Sequence, residues 1–330
     1  MLALLRGVSR SFYLSIRLLP PGLRRPIAVG YLLARAADTI ADTAELAVAE
    51  RLATLRSLVD LIEGTTPAPP AAASLAASFV PRQDDPQERA LIAALPQCLD
   101  WLERLEPQDR HDVREVLRHI TLGQITDVER FGAATASQPV ALQNAAQLDE
   151  YTYRVAGCVG EFWTRLCFRH VPAFASLPES EMAELGRAYG RGLQLVNIVR
   201  DAGADLAAGR CYFPVDELAA AGVAPADIIE QPHRFMPVRE RWLARAHEGL
   251  AAGMRYADAV RSRRIRAASA LPALLGVRTL ALLQERGAKG LAQRVKVPRA
   301  EVRSVVARIA LTFAARGPLR AMFRWDNAAP

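Results

Sequence analysis

Aromatic residues are scarce in this 330-residue chain, 6% of the total, and there are only four cysteines. Cys98, Cys158, Cys167 and Cys211 form no C-x-x-C pair and have no histidines at zinc-binding spacing. That excludes a zinc ribbon or thiol redox motif and leaves four small buried side chains in a reducing compartment. No uninterrupted apolar run reaches the roughly 18 residues needed to cross a bilayer, and the C-terminal RGPLRAMFRWDNAAP is too polar for an anchor. No transmembrane segment is therefore expected, and the protein reads as cytoplasmic or peripheral at a membrane. P-loop and GxGxxG motifs are missing, as is the period-two alternation of a sheet protein. Acidic residues are absent from the first 37 positions, which hold Arg6, Arg10, Arg17, Arg24, Arg25 and Arg35. This basic stretch suits an anionic ligand or surface, and it runs without a break into a helical pattern, so it belongs to the fold and not to a transit peptide.

What is present is helical. The residues are 51% hydrophobic, with Ala, Leu and Arg abundant. Apolar positions recur at three- and four-residue spacing over 22–61, 87–106, 109–131, 149–169, 179–205, 238–260, 267–285 and 299–316. Breakers fall at 64–72, 80–87, 132–139 and from Pro214 onward. None is long enough for a domain linker and no solenoid repeat occurs, so one all-α domain of eight to ten helices, 1–330, is expected.

Two short stretches carry the chemistry. In YLLARAADTIADT, Ile27, Tyr31, Ala34, Arg35, Asp38 and Asp42 fall within about a third of a helix turn, so two carboxylates are expected on an apolar side. In LQLVNIVRDAGADLAAGR, Asp201 and Asp205 are again four apart, with Asn197 and Arg200 just before them. Carboxylates at i and i+4 share a face and can bind one cation or neighbouring ones. Mg²⁺ suits them because it takes one or two carboxylates and fills its other positions with water and phosphate oxygens. Arginines beside them would neutralise the rest of a diphosphate. A solvated face of local Arg–Asp pairs explains either stretch alone; the recurrence favours the metal. A di-iron bundle would need Glu-x-x-His, and the five histidines do not supply it. Asp127 is not part of a D-x-x-x-D spacing and is read as structural. A net charge of +7 also admits a nucleic-acid binder, but the basic residues are mixed with acids after residue 37 and no recognition motif follows.

Four blocks, SRSFY from Ser9, YLLARAADTIAD from Tyr31, YTYRVAGCVGEFW from Tyr151 and LQLVNIVRDAGADLAAGRCYFP from Leu193, resemble the squalene and phytoene synthase family of head-to-head prenyl transferases, and most of all its bacterial squalene synthases. The resemblance covers about residues 9–285. It implies a single-domain isoprenoid synthase fold whose two Asp-rich helices face each other across a central cavity. By that resemblance Asp38, Asp42, Asp201 and Asp205 bind Mg²⁺, while Ser9, Arg10, Ser11, Arg35, Arg200, Arg210, Gln194 and Asn197 contact diphosphate. Tyr151 matches the family's essential tyrosine, with Tyr153 its nearby competitor and a packing role the alternative. Phe12, Tyr31, Val155, Ala156, Gly157 and Gly160 would line the cavity, although close helix packing explains the small residues nearly as well.

The implied reaction joins two farnesyl diphosphates through presqualene diphosphate, then reduces the product to squalene with NADPH, as in sterol or hopanoid biosynthesis. Thr39, where phytoene synthases carry Asp, favours the squalene branch; phytoene, dehydrosqualene and presqualene diphosphate synthases are the alternatives. Ala204 and Thr43 stand where relatives carry acids, which leaves the number of Mg²⁺ ions open. The basic RVKVPRAEVR could hold NADPH phosphates. Neither nucleic acid nor a stable oligomer is expected, and a peripheral membrane contact would serve product release.

Overall fold

Proline opens most helices of the N-terminal part, where its missing N–H and fixed φ cost nothing. The computed structural model describes residues 1–8, 13, 16, 19–43, 46–66 and 68–323. Its contacts group into two units, Met1–Gly132 and Ala133–Pro330. The first holds α1 (Leu2–Val8), α2 (Pro21–Asp42), α3 (Val48–Glu63), α4 (Ala68–Phe79), α5 (Pro86–Ala93), α6 (Leu95–Glu103) and α7 (Pro107–Phe131). Helix α2 packs against α3, α6 and α7 and buries Leu32, Leu33, Ala36, Ala37 and Ile40 there.

Several helices are shorter than the periodicity predicts. The expected helix 22–61 ends at Asp42, because Thr43 leaves helical geometry at φ −74°, ψ 87°. The buried Thr43 hydroxyl donates to the Thr39 carbonyl at 2.7 Å and accepts from Gln83 Nε2 at 2.6 Å. The expected helix 87–106 is interrupted at Ala94, two residues before Pro96. Conversely, part of the expected breaker 64–72 begins α4, whose prolines 69 and 70 sit in its first turn.

The second unit contains β1 (Val140–Ala141), α8 (Ala145–Thr152), a π-helical turn (Tyr153–Gly157), α9 (Cys158–His170), α10 (Glu179–Ala207), β2 (Arg210–Cys211) and α11 (Val215–Ala220). It continues through α12 (Pro232–Ala259), α13 (Arg263–Arg286), α14 (Lys289–Ala292), α15 (Arg299–Leu311) and α16 (Arg316–Phe323). The all-α expectation holds: the named strands are one parallel pair, Val140 opposite Arg210 and Ala141 opposite Cys211. Among the described helices, α13 alone is long and apolar enough to cross a membrane by length and composition. Half of its apolar window is buried, and it packs against α12, α15 and α16. All four cysteines are buried and unpaired.

Helix α10 is held by backbone-to-backbone contact. A Cβ on Gly160 would lie 1.9 Å from the Gly186 carbonyl oxygen, one on Gly190 would lie 2.2 Å from that of Ala156, and Gly192 meets Gly249 of α12. Of the two readings of Ala156, Gly157 and Gly160, room for a ligand or close helix packing, the contacts with α10 match the second: Gly157 meets Arg191 and Arg187. The seam predicts that Gly160→Val destabilises the fold by about 2–3 kcal/mol, read as a lowered urea midpoint. Gly317→Ala, in α16 with nothing within 4 Å of its Cβ, should be neutral or stabilising by up to about 1 kcal/mol.

Candidate active site

In the first unit the functional stripe lies on the less buried side of α2. Tyr31, Arg35 and Asp38 are half-buried and Asp42 is exposed. This corrects the expectation that the carboxylates share the apolar face, because the fully buried Leu32, Leu33, Ala36 and Ile40 take the opposite side. Thr39 is buried, about 100° round the helix from Asp38. Any influence of Thr39 on product choice therefore runs through packing.

Two neighbours that no local sequence pattern marks complete this stripe. Gln124 of α7 donates its amide to Asp38 Oδ1, and Glu88 of α5 accepts from Arg35. These partners lie 86 and 53 residues away. Burial raises the Asp38 pKa to about 6, and the charge of Asp42 adds to the rise while Arg35 and Gln124 oppose it. The Gln124 side-chain oxygen is buried without a partner among the described residues. A desolvated carboxylate, a second one a turn away and an unsatisfied amide oxygen form a hard-oxygen donor set, which fits Mg²⁺.

The second stripe runs along α10. Gln194, Asn197, Asp201 and Asp205 fall within an arc of about 80°. Here arginines already balance the acids. Arg200 grips both carboxylate oxygens of Asp201 at 3.0 and 2.5 Å, Arg210 donates to Asp205 at 2.9 Å, and Arg294 lies 3.8 Å from Asp201. Asn197 donates to Gln194 at 3.4 Å. Arg210 owes its place to Gly209, whose φ of +79° turns the chain from α10 into β2; a Cβ there would meet Thr135 backbone at 2.4 Å. A cavity of about 260 Å³ opens beside this stripe, lined by Arg200, Asp201, Gly203, Leu291, Gln293 and Arg294. Among the described residues no three His, Cys, Asp or Glu side chains cluster for a metal. Any ion here thus relies on paired carboxylates completed by other oxygens.

Tyr151, at the end of α8, stacks on Tyr212 with ring centroids 5.0 Å apart and planes at 27°. Tyr212 belongs to the CYFP block, where nothing local in the sequence marks it as the partner of Tyr151. Tyr153 is committed elsewhere: its hydroxyl donates to Glu161 at 3.1 Å, and Glu161 also accepts from Arg187. Val155 is half-buried in the π-helical turn. Ser9, Arg10, Ser11 and Phe12 lie outside the described residues.

The raised Asp38 pKa predicts a pH effect on stability. The folded value, about 6, lies above the 3.8 of an unperturbed aspartate, so the folded state holds the proton more tightly. Its contribution is complete below about pH 4 and is lost as pH rises through 6, of order 2–3 kcal/mol. In EDTA, urea unfolding of wild type relative to Asp38→Asn should show that decline between pH 4.5 and 7. A difference that stays flat with pH would contradict the burial of this carboxylate.

The squalene/phytoene synthase family model matches residues 5–301. Presqualene diphosphate synthase of Rhodopseudomonas palustris is 29% identical over 302 residues, covering 90% of this chain and 89% of that protein. Squalene synthase of Saccharomyces cerevisiae is 31% identical over 218 residues, 64% of this chain and 44% of its own length. The bifunctional lycopene cyclase/phytoene synthase of Gibberella fujikuroi is 30% identical over 256 residues, 74% of this chain. The chain spans only 40% of that bifunctional protein's length. Among solved structures, a ligand complex of TcSQS superposes with a TM-score of 0.75 at 19% identity, covering 99% of this chain and 92% of that one. Squalene synthase HpnC from Alicyclobacillus acidocaldarius gives 0.60 at 20% identity, covering 86% and 92%. At these identities the structural likeness concerns the fold.

Proposed function

The chain belongs to the squalene/phytoene synthase family, and from that premise we propose that it joins two farnesyl diphosphates head to head, through presqualene diphosphate, to squalene. The observation that carries this reading is the pair of aspartate stripes, one with Asp38 desolvated and held by Gln124 beside Asp42, the other with arginines on Asp201 and Asp205.

In this reading the Asp38–Asp42 pair and the Asp201–Asp205 pair would each hold Mg²⁺, which would supply Lewis-acid stabilisation of a departing diphosphate. Arg200 and Arg210 then exchange their aspartate partners for phosphate oxygens, and Arg294 adds charge at the cavity beside Asp201. Arg35 anchors the first stripe through Glu88. Ser9, Arg10 and Ser11 contribute further diphosphate contacts, with Gln194 and Asn197 orienting the second stripe. The Tyr151 ring, backed by Tyr212, presents a π face that stabilises the allylic cation. Tyr31 of the first unit and Val155 of the second are assigned to prenyl contacts, as is Phe12 by the family resemblance. Reduction to squalene requires a hydride donor, the role NADPH would fill.

A second reading stops at presqualene diphosphate. The Rhodopseudomonas relative favours it, because that protein and this chain cover each other almost entirely. Incubation with farnesyl diphosphate and Mg²⁺, with and without NADPH, separates the two. Squalene formed only with NADPH supports the first reading, presqualene diphosphate under both conditions supports the second, and a 40-carbon product from geranylgeranyl diphosphate overturns both. Asp38→Ala or Asp201→Ala should each cut diphosphate release at least about a hundredfold; unchanged turnover in either variant would remove that aspartate from the reaction.

A further inference from the structure

The charge of the second unit is gathered at its C-terminal end. Between residues 287 and 323 there are eight basic side chains, Lys289, Arg294, Lys296, Arg299, Arg303, Arg308, Arg316 and Arg320, against the single acid Glu301. Glu301 is taken by Arg278, while Arg294 and Arg320 face Asp201 and Asp258. Lys296, Arg299, Arg303 and Arg308 remain exposed. Among them stand the two most exposed large apolar residues of the described chain, Leu311 at 78% and Phe313 at 71%, with Val306 at 46%.

Phe313 does not hang from a loose turn. It and Ala314 adopt left-handed backbone, φ 49° and 50°, a conformation that costs of order 1 kcal/mol in a residue other than glycine. The turn is held from beneath. Ala314 is buried in a cluster with Ile309 and Leu319, its N–H reaches the Ile309 carbonyl at 2.9 Å, and its own carbonyl accepts from buried Arg266 at 3.2 Å. A strained, anchored turn that lifts an aromatic ring into solvent beside a basic helix implies a partner surface.

We propose that the α15–α16 hairpin docks on an anionic lipid bilayer, with Leu311 and Phe313 entering the acyl boundary and Lys296, Arg299, Arg303 and Arg308 at the headgroups. Apolar insertion flanked by basic residues matches an anionic interface. A nucleic acid would use the charge and leave Leu311 and Phe313 in water. The inference does not depend on which reaction the chain catalyses.

Co-sedimentation of the full chain tests it, with vesicles of phosphatidylcholine alone and of phosphatidylcholine with 30% phosphatidylglycerol, at 0.1 M NaCl. Binding to the anionic vesicles only, weakened at 0.5 M NaCl, is expected. Each basic residue near such a surface is worth about fivefold in partitioning, so Arg303→Gln with Arg308→Gln should weaken binding about 25-fold. Leu311→Ser with Phe313→Ser should weaken it at least tenfold, with unchanged circular dichroism; the charge pair provides the same test if that double variant fails to fold. No binding to anionic vesicles, binding unaffected by both pairs, retention by RNA without vesicle binding, or a dimer lost in the apolar double variant without vesicle binding would each overturn the proposal.

Discussion

Everything in the second unit is indexed to the place where α10 loses its side chains. Gly186, Gly190 and Gly192 let the helix touch α9 and α12 through backbone, so sliding or rotation meets carbonyl oxygens within a fraction of an ångström. Soft side chains can repack; peptide groups cannot. The polar stripe that begins at Gln194 therefore continues from a rigid rail, and its carboxylates inherit that precision without a packed shell of their own. Glycine in a helix costs about 1 kcal/mol of propensity relative to alanine, and that loss is offset by the close contacts it permits.

The two aspartate stripes solve one electrostatic problem in opposite ways. At Asp201 and Asp205 arginines sit on the carboxylates, and the local charge is near balance. At Asp38 the nearby arginine is drawn to Glu88, and burial and Asp42 leave the carboxylate ready to take up a proton. A cation arriving at the first stripe competes with that proton, whereas one arriving at the second competes with guanidinium groups. The sequence writes both as D-x-x-x-D, although their carboxylates have different partners.

What the sequence could show followed from how local the cause was. Helical periodicity revealed the all-α architecture and α7 and α10 nearly to their ends, because each is long and keeps one apolar face. It missed the stop at Thr43, which depends on a hydrogen bond to Gln83 forty residues away. The spacing of Asp38 and Asp42 was legible, but the identity of the buried face was not: beyond the buried Ile27 the helix turns Leu32, Leu33, Ala36 and Ile40 to its neighbours and leaves Tyr31 half-buried. Nothing within a helical turn marks Glu88 or Gln124, whose partners lie 53 and 86 residues away. The small residues of VAGCVG were conspicuous, yet the neighbour that fills the space they leave could be identified only in three dimensions.

The π-helical turn at Tyr153–Gly157 bears on how such a chain can vary. A π turn is an α-helix carrying one residue too many. Deleting a single position there would let the backbone relax to regular α geometry and swing everything upstream by about 100° relative to α9. Tyr151 would leave Tyr212 while the glycine contacts of α9 stayed in register. Substitutions in this segment are negotiable one at a time; its length is not. A chain that keeps both the aromatic stack and the glycine contacts must count these residues without gain or loss.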